Sequence, residues 1–406
     1  MTIDLEALYT DLHQHPELSF QETRTAAIGA GHLRDLGLEV TEGVGGTGVV
    51  GVLRNGEGPT VWLRADMDGL PVEEQTGLPY ASSARGLNPQ GAEVPVMHAC
   101  GHDMHVAAMI GAIEQLAATR DEWAGTIVVV LQPAEEFGAG ARAMIADGVL
   151  TRFPHPDVVL GQHVTPLPTG IVGVRPGTQM AASDGLTITL HGRGGHGSRP
   201  HATIDPIVMA AATIMRLQTV VSREIDPREM AVVTVGSVHA GLKHNIIPAE
   251  ARLELSLRYA DDASRARVLE KVERIVRAEA EASDAPLPPT IETDHTLPPT
   301  INDADATARL SAAFDREIGA GTVLDPGMFT GSEDVSWFAR EAGVPLVFWF
   351  WGGVDPAVYA RAQAEGTIDR DIPTNHSPFF APVLQPTLRN GVRTLTVAAR
   401  EFLGRP

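Results

Sequence analysis

Apolar side chains near the start of the chain recur at helical spacing and then give way to short, almost continuously apolar runs. The helical spacing covers residues 5–12 and 22–36, and Gly37 is a plausible stop for the second helix. Two apolar runs follow at 49–53 and 60–64, separated by a turn-forming segment of asparagine, glycine and proline. The pattern therefore predicts two helices followed by two strands.

The chain then continues with further helices and strands in alternation. Residues 106–118 predict a helix of mostly small apolar residues, and 140–147 predict another. Residues 125–131 are continuously apolar, which is typical of a strand buried on both faces, and 157–160 and 344–350 predict two more buried strands. Helices alternating with buried strands indicate an α/β layer architecture.

The pattern changes near residue 182, where strands begin to alternate apolar and polar positions and so predict a sheet with one solvated face. The order of elements is strand, helix, strand, strand, helix, strand, which resembles a ferredoxin-like α+β unit. These elements lie at 186–190, 204–221, 231–235, 252–259, 263–280 and about 290–293. Proline-rich segments at 287–289 and 297–299 predict a linker back to the first domain.

Length supports this division, because 406 residues are too many for one ordinary hydrophobic core. We predict a discontinuous α/β domain formed by residues 1–181 and 299–406. The second domain, residues 182–298, is inserted into it as a ferredoxin-like α+β unit.

Charge and cysteine content limit the partners and the compartment of the protein. Lys and Arg total 31 against 51 Asp and Glu, a formal charge of −20, which opposes binding to nucleic acid or to an anionic membrane. No apolar stretch of about 18 residues predicts a membrane span, and the first residues lack the pattern of a secretory signal. Together with a single cysteine, these features favour a cytoplasmic protein.

The segment 97–105 contains that cysteine together with three histidines and an aspartate. A lone cysteine forms no intramolecular disulfide, so metal ligation or reactivity becomes the question. Cys100 and His102 are one residue apart, which lets a turn aim both at one ion, and thiolate and imidazole both bind zinc-like metals. The alternative is a loop in which Cys100 is a small buried apolar residue.

Four other segments carry residue types that ligate metals. They contain Asp66 and Asp68, Glu135 and Glu136, His163, and His376. The first three segments follow predicted buried strands, whose carboxyl ends are where open α/β sheets place their sites. Taken singly, each carboxylate also fits a helix cap or a solvated loop. Their joint occurrence after successive strands favours a metal site.

Seven sequence segments together resemble a known family. They are LHQHPELS at 12–19, LRADMDGLP at 63–71, MHACGHD at 97–103, QPAEE at 132–136, GRGGHGS at 192–198, NIIP at 245–248 and GSED at 331–334. With them the chain resembles the amidohydrolase branch of the M20 metallopeptidases, which includes hippurate hydrolases, auxin-conjugate hydrolases and N-acyl-amino-acid aminoacylases. The resemblance runs from about residue 5 to 400. It implies a metal-binding catalytic domain with an inserted lid domain, through which two copies form a homodimer.

The resemblance also implies roles for individual residues. It implies one or two divalent ions, Zn²⁺ first, with Mn²⁺, Co²⁺ or Ni²⁺ as alternatives. The metal ligands that it implies are Cys100, His102, Glu136, His163 and His376. Cys100 stands where more distant relatives have a metal-bridging aspartate. Glu135 is implied as the general base, which takes a proton from metal-activated water and later delivers it to the leaving amine.

Some residues beside these ligands keep two interpretations. Asp66 and Asp68 are expected to support the ligands or to shape their loop. Asp103 either orients a ligating histidine or caps a helix that starts near Met104. His105, on that helix, is expected to be structural or to support a ligand rather than to bind metal itself.

Three candidates lie in the inserted domain. His196 occupies a glycine-rich turn, and the resemblance implies that it reaches an active site, often across a dimer, to stabilise the oxyanion of the tetrahedral intermediate. A surface histidine in a turn is the alternative. Asn245 and Arg258 are candidates for gripping the carboxylate of the substrate, since a guanidinium suits bidentate carboxylate binding. A solvated arginine at the end of a strand is the alternative for Arg258.

These features favour a metal-dependent hydrolase that cleaves the amide of an N-acyl amino acid to a carboxylic acid and a free amino acid. Dipeptidase or carboxypeptidase hydrolysis at the same site is one alternative. A thiol hydrolase with Cys100 as nucleophile is another, and it predicts sensitivity to alkylation and indifference to chelators. A binding protein without turnover is the third, but it gives Glu135 no role as a proton shuttle.

Overall fold

The computed structural model describes residues 2–405 and divides the chain into two compact units. The larger unit comprises residues 2–179, 301–327 and 334–405. The inserted unit comprises residues 180–300 and 328–333. Across residues 2–405 no helix combines the length and the apolarity that crossing a membrane requires.

The helices are, in chain order, α1 (Leu5–Gln14), α2 (Thr23–Asp35), α3 (His102–Ala118), α4 (Gly140–Ala146), α5 (Val149–Arg152), α6 (Pro206–Thr219), α7 (Asp262–Ala282), α8 (Ala304–Glu317), α9 (Ser336–Ala342), α10 (Pro356–Glu365), α11 (Ile368–Asp371) and α12 (Leu384–Phe402). Short 3₁₀ turns lie at Arg120–Glu122 and Pro200–Ala202, and a π turn at Val220–Glu224.

The strands are, in the same order, β1 (Glu39–Val44), β2 (Gly48–Asn55), β3 (Thr60–Asp66), β4 (Arg85–Leu87), β5 (Glu93–Pro95), β6 (Gly125–Gln132), β7 (Val158–Pro168), β8 (Val172–Gly173), β9 (Gly177–Met180), β10 (Ala182–His191), β11 (Gly195–His196), β12 (Ala231–Ala240), β13 (Ile246–Ile247), β14 (Glu250–Tyr259), β15 (Thr290–Leu297), β16 (Thr300–Asn302), β17 (Val323–Leu324) and β18 (Leu346–Val354).

The larger unit is built on a sheet whose strands follow the order β1-β2-β6-β3-β7-β18-β8-β17. Its central strands β6, β3, β7 and β18 are parallel to their neighbours in that run, while β1 and β2 join antiparallel at one edge. β6, β7 and β18 are almost entirely buried, because helices cover both faces of the sheet. The predicted α/β class is therefore confirmed.

Successive residues of β3 point to opposite faces of this sheet. Val61 and Leu63 enter the main core, which lies between the sheet and a helical layer that includes α1, α3, α8 and α12. Trp62 and Arg64 point to the other face, where Trp62 packs against Phe338 of α9 with ring centroids 6.0 Å apart. A charged residue thus lies fully buried on the second face.

The inserted unit contains a four-stranded sheet with the order β12-β14-β10-β15, and every neighbouring pair is antiparallel. The connectivity β10-α6-β12-β14-α7-β15 and this strand order are those of a ferredoxin-like unit. The two helices pack on the sheet around a separate core that contains Leu253 and Val272. The segment 328–333 also belongs to this unit, and its sequence carries no boundary signal that predicted it.

Candidate metal centre

The turn between Cys100 and His102 depends on a glycine. Gly101 adopts φ +82°, a left-handed conformation that side chains disfavour, and a Cβ at this position would lie 2.4 Å from Val164 Cγ1. α3 begins immediately afterwards at His102. The turn therefore packs directly against β7, the strand that carries His163.

The five predicted ligands lie together; we call Cys100, His102, Glu136, His163 and His376 the candidate metal centre. Glu136 follows the carboxyl end of β6, whereas His163 lies within β7, because that strand continues to Pro168 instead of ending at residue 160 as predicted. Cys100 Sγ lies 3.4 Å from His163 Nε2. The two oxygens of Glu136 face different histidines: Oε1 lies 3.9 Å from His102 Nε2, and Oε2 lies 3.4 Å from His376 Nε2. Apart from half-exposed His376, these side chains are buried.

Two atoms of this centre have no hydrogen-bond partner within residues 2–405. They are His102 Nε2 and Glu136 Oε1, and both are buried. A buried polar atom without a partner costs about 1–3 kcal/mol, so native structures rarely leave one unsatisfied. The two atoms face each other beside a thiol, an arrangement in which one divalent cation would satisfy both. The residues present therefore fit a divalent metal ion.

Asp68 organises this centre although it provides no predicted ligand atom. Its buried carboxylate receives His102 Nδ1 at 3.2 Å, the backbone N–H groups of Glu135 and Glu136 at 3.2 and 3.1 Å, and Ser19 Oγ at 2.7 Å. A histidine that donates its Nδ1 proton to a carboxylate presents Nε2 as the free acceptor. Asp68 thus sets the tautomer of His102 and holds the two glutamates.

The electrostatic potential at His102 is strongly negative, because buried carboxylates surround it. Burial alone would lower the pKa of His102, but the carboxylates of Asp66 and Asp68 outweigh burial and raise it to about 10. Burial would raise the pKa of Asp68, and the hydrogen bond from His102 instead holds it below its usual range. A site that retains a proton on its ligand this strongly also attracts a divalent cation, which displaces that proton on binding.

Asp66, predicted to support the ligands, lies between Arg64 and His105. Arg64 Nη1 donates to Asp66 at 2.7 Å, and His105 Nδ1 donates to the other oxygen. His105 Nε2 in turn accepts the backbone N–H of Val164 at 3.0 Å. Both ring nitrogens of His105 are therefore committed, so this histidine positions β7 next to His163 rather than offering a ligand atom.

Asp103 is oriented differently from the expectation that it holds a ligating histidine. Its Oδ2 lies 2.6 Å from His13 Nδ1, and its Oδ1 accepts the backbone N–H of Met104 at 2.8 Å. The next residue along a helix points about 100° away from its predecessor, so Asp103 faces α1 while His102 faces the centre. Asp103 is therefore an inter-helix contact that also accepts a backbone hydrogen bond in the first turn of α3.

His13 is held between two acids, since its Nε2 also lies 3.1 Å from Glu74 Oε1. Burial lowers the pKa of His13, but Asp103 and Glu74 outweigh burial and raise it to about 10. This group therefore stabilises the fold fully below about pH 6.5, and its contribution is lost as the pH rises through about 10.

We expect the free energy of unfolding to fall by a few kcal/mol between pH 7 and pH 10 on account of His13. Urea denaturation of the wild type and of His13→Gln at both pH values measures this term. The loss with pH should be smaller in the variant, because glutamine does not titrate. Equal losses in the two proteins would contradict the assignment of the charge to His13.

Glu135, the predicted general base, is 8% exposed in the turn that follows β6. Its backbone N–H bonds to Asp68, while the adjacent Glu136 points towards His102 and His376. A carboxylate oxygen of Glu135 instead lies within 4.8 Å of one of Asp334, so the two neighbouring carboxylates have separate surroundings. This division allows one to bind metal while the other moves protons.

Arg64 is a buried residue that sequence reasoning did not single out. Its Nε donates to Gln132 Oε1 at 2.9 Å, and its Nη2 donates to Asp334 at 3.0 Å. Asp334 also accepts the backbone N–H of Ala141 at 3.0 Å, so this buried carboxylate joins Arg64 to the first turn of α4. The available signal was an arginine within an otherwise apolar strand.

In the inserted unit, His196 and Asn245 lie side by side. β11 pairs with β13 so that His196 is opposite Ile246, and the N–H of Gly197 donates to the carbonyl of Asn245 at 2.9 Å. His196 is exposed, and its Nδ1 accepts from Ser198 Oγ at 2.8 Å. The side-chain oxygen of Asn245 is buried without a hydrogen-bond partner in residues 2–405.

Arg258 lies near the opposite end of the same unit. Its Nη1 donates to Ser332 Oγ at 2.6 Å, and burial lowers its pKa. β14 begins at Glu250, and at about 3.4 Å per residue Arg258 lies roughly 25 Å further along the strand. Asn245 precedes β14, so the two predicted carboxylate-binding residues are too far apart to hold one carboxylate within a single copy.

The sequence matches the model of the peptidase family M20/M25/M40 over residues 62–376. The chain is 36% identical to "Thermostable carboxypeptidase 1" of Saccharolobus solfataricus over 89% of each protein, and 40% identical to "Hippurate hydrolase" of Campylobacter jejuni over 75% of this chain and 76% of the other. Its fold is similar to that of the Bacillus subtilis YXEP protein, which is described as a dinuclear metal binding peptidase from the M20 family. The TM-score is 0.78 at 30% identity, and the match covers 98% of this chain and 97% of the other. The chain therefore belongs to the M20/M25/M40 peptidase family and is one of its hydrolases of linear amides.

Proposed function

We propose that this protein hydrolyses the amide bond of N-acyl amino acids, giving a carboxylic acid and a free amino acid. The observation that carries the proposal is the pair of buried, unpartnered atoms His102 Nε2 and Glu136 Oε1, the second on a turn that also carries Glu135. A binder of small molecules has no need of a second, proton-accepting carboxylate on the turn that carries a proposed metal ligand. Relatives named for N-acyl amino acid hydrolysis, including an "N-acyl-L-amino acid amidohydrolase" of Geobacillus stearothermophilus, 39% identical, support the substrate class.

Cys100, His102, Glu136, His163 and His376 would hold the ion. A divalent metal bound there lowers the pKa of water and polarises the scissile carbonyl. We infer Zn²⁺ from the thiolate, imidazole and carboxylate donors, with Mn²⁺, Co²⁺ or Ni²⁺ as alternatives. The two oxygens of Glu136 face different histidines, which supports two ions rather than one.

Glu135 performs the proton transfers. It accepts a proton from the attacking water and delivers it to the amine nitrogen as the C–N bond breaks. Asp68 holds the backbone of Glu135 and so fixes the turn from which this carboxylate would act. General acid–base catalysis of this kind is worth roughly 10²–10⁴-fold in rate.

The inserted unit supplies the remaining groups. His196 donates to the oxyanion that forms on the carbonyl, and such a donor is typically worth about 2.7–4 kcal/mol. Arg258 binds the carboxylate of the substrate, and Asn245 acts beside His196. Because Asn245 and Arg258 lie far apart in one copy, we infer that they serve the active sites of different copies; the family resemblance assigns His196, and with it Asn245, to the site across the dimer.

Two alternatives rest on specific observations. Carboxypeptidase-type hydrolysis is supported by the relatives named "Thermostable carboxypeptidase", 36% identical to this chain. A thiol hydrolase is supported by the 3.4 Å separation of Cys100 Sγ and His163 Nε2, which suits a nucleophile and its base. The thiol mechanism gives no role to the unpartnered atoms of His102 and Glu136.

The deciding experiment measures free amino acid released from a panel of N-acetyl, N-benzoyl and long-chain N-acyl amino acids, with dipeptides and peptides alongside. Each reaction is run as purified, after chelation, and after return of Zn²⁺, Mn²⁺ or Co²⁺. We expect N-acyl amino acids to be cleaved, the activity to vanish with chelator and to return with metal. Peptide cleavage alone would favour the carboxypeptidase, and indifference to chelation would favour the thiol mechanism.

The proposed second copy would dock on an exposed edge of the inserted unit. β12 is the edge strand of the four-stranded sheet, and its exposed residues include Val232 and Val238. The neighbouring α6 exposes Val208 and Met215. A long edge strand flanked by exposed apolar side chains is a template for pairing with an identical strand of a second copy.

We expect Val238→Glu to convert a dimer to a monomer, since a symmetric interface would contain the buried charge twice. Light scattering after size-exclusion chromatography measures the mass. Leu287→Glu is a matched control, because Leu287 is 59% exposed in the same unit but outside β12. A wild-type protein that is monomeric at all concentrations, or a Val238→Glu dimer, would contradict the assignment.

A further inference from the structure

Glu22 is a buried carboxylate that the mechanism above does not use. Its side chain is 0% exposed, and within residues 2–405 it forms no ion pair with a cation. Burial raises its pKa to about 7, and the nearby Asp68 carboxylate adds to the rise. A buried acid without a counter-charge is expensive, so the hydrogen bonds that Glu22 accepts must stabilise it.

Glu22 lies at the start of α2, yet its side chain makes no capping bond to that helix. Its Oε1 instead accepts two backbone N–H groups, from Phe20 at 2.9 Å and from Ala134 at 2.8 Å. Thr47 Oγ1 donates to its other oxygen. Glu22 thus connects the beginning of α2 to the turn that carries Glu135.

Both of these N–H groups belong to residues in a left-handed conformation. Phe20 has φ +61° and Ala134 has φ +49°, values that residues other than glycine seldom adopt. Such a conformation persists where the surroundings hold it in place, and it is often found at functional sites. Oε1 of Glu22 accepts a hydrogen bond from the backbone N–H of each of these residues and so holds both of them.

The bond to Ala134 completes a set of three. The backbone N–H of Ala134 bonds to Glu22, and the next two, from Glu135 and Glu136, bond to Asp68. Consecutive N–H groups of the turn are therefore held by two buried carboxylates. The same turn presents the proposed general base and a proposed metal ligand, so its geometry fixes both.

We propose that Glu22 is a positioning residue, which holds Ala134 in its left-handed conformation and thereby fixes Glu135 and Glu136 in the active site. This inference rests on the proposed function for the roles of Glu135 and Glu136. It assigns to Glu22 no contact with substrate or metal. Glu22 acts on the position of Glu135 and Glu136 through the hydrogen bond that it accepts from the backbone N–H of Ala134.

The test compares Glu22→Met, which fills the space but accepts no hydrogen bond, with Glu22→Gln, whose amide oxygen still accepts both N–H groups. We expect Glu22→Met to lower kcat and to raise the Zn²⁺ dissociation constant, each by about 10–100-fold, with KM little changed. Zn²⁺ affinity is measured by competition with a fluorescent chelator, independently of turnover. Glu22→Gln should regain most of both losses.

A second site gives a rescue that a merely structural role does not predict. Adding Ala134→Gly to Glu22→Met should restore part of kcat and of Zn²⁺ affinity, because glycine adopts positive φ without help. Thr47→Val is the milder variant: it removes the hydroxyl that holds Glu22 and should change the same two quantities in the same direction. It keeps the test decisive if Glu22→Met does not fold.

Glu17→Met is the matched control. Glu17 lies in the same segment and also accepts backbone N–H groups, from Arg24 and Thr25 of α2, but does not touch the turn of Glu135. The control should keep wild-type kcat and Zn²⁺ affinity. Folded Glu22→Met and Thr47→Val with wild-type values, or equal losses in Glu17→Met, would overturn the proposal. A wild type that cleaves no N-acyl amino acid, with Zn²⁺ affinity still dependent on Glu22, would instead overturn the proposed function.

Discussion

Glu135→Gln is expected to lower kcat by about 10²–10⁴-fold while the protein keeps its full complement of metal. The amide has the shape of the carboxylate but cannot accept the proton of the attacking water. Because the backbone N–H of Glu135 provides the bond to Asp68, the turn should keep its geometry in the variant. Turnover of an N-acyl amino acid and metal content by mass spectrometry measure the two effects separately.

Glu136→Gln is the matched control for this experiment. It changes the neighbouring carboxylate in the same way, but Glu136 Oε1 is one of the unpartnered atoms that face the proposed ion. It should therefore lose metal together with activity. A fully active Glu135→Gln enzyme would show that another group carries the proton.

Replacement of Cys100 separates a metal ligand from a nucleophile. Cys100→Ala should weaken metal binding by more than the 10–100-fold that loss of an outer-shell partner costs, and turnover should fall with it. Cys100→Asp should bind metal more tightly than the alanine variant and retain measurable turnover, because a carboxylate can also ligate a divalent ion. A chelator titration and initial rates give both values.

The thiol mechanism makes the opposite prediction. A nucleophilic Cys100 would leave both variants equally inactive and their metal content unchanged. Alkylation adds an independent check, since Cys100 is the single cysteine of the chain and any thiol-directed loss of activity must arise there. Protection of Cys100 from alkylation by added Zn²⁺ is the result expected of a ligand.

The apolar pattern was sufficient to locate the main strands but not to order them. The runs at 125–131 and 344–350 became β6 and β18, because only strands covered on both faces tolerate such continuous apolarity. The position of β18 beside β7 depends on pairing across the insertion. An apolar run shows that a strand is buried and carries no information about its neighbours.

The candidate site could be predicted where the chemistry lies at strand ends. Glu135, Glu136 and Asp66 converge because β3 and β6 are parallel neighbours, so their carboxyl ends share one edge. Glu22 and Ala134 are 112 positions apart and are joined by one hydrogen bond to the backbone. A single sequence carries no signal for such a contact. Asp103 was ambiguous for a related reason, since its partner His13 is 90 positions away.

The pairing of β7 with β18 has a consequence for synthesis. When β7 (Val158–Pro168) leaves the ribosome, its partner at Leu346–Val354 is about 180 residues from being made, a delay of roughly 10–40 s at typical translation rates. During that time β7 remains a long, apolar, unpaired edge, which is the kind of surface that aggregates. The inserted unit, whose sheet strands all lie within 182–297, can complete its own fold meanwhile. Nascent chains stalled before residue 346 are therefore the species for which chaperone binding matters most.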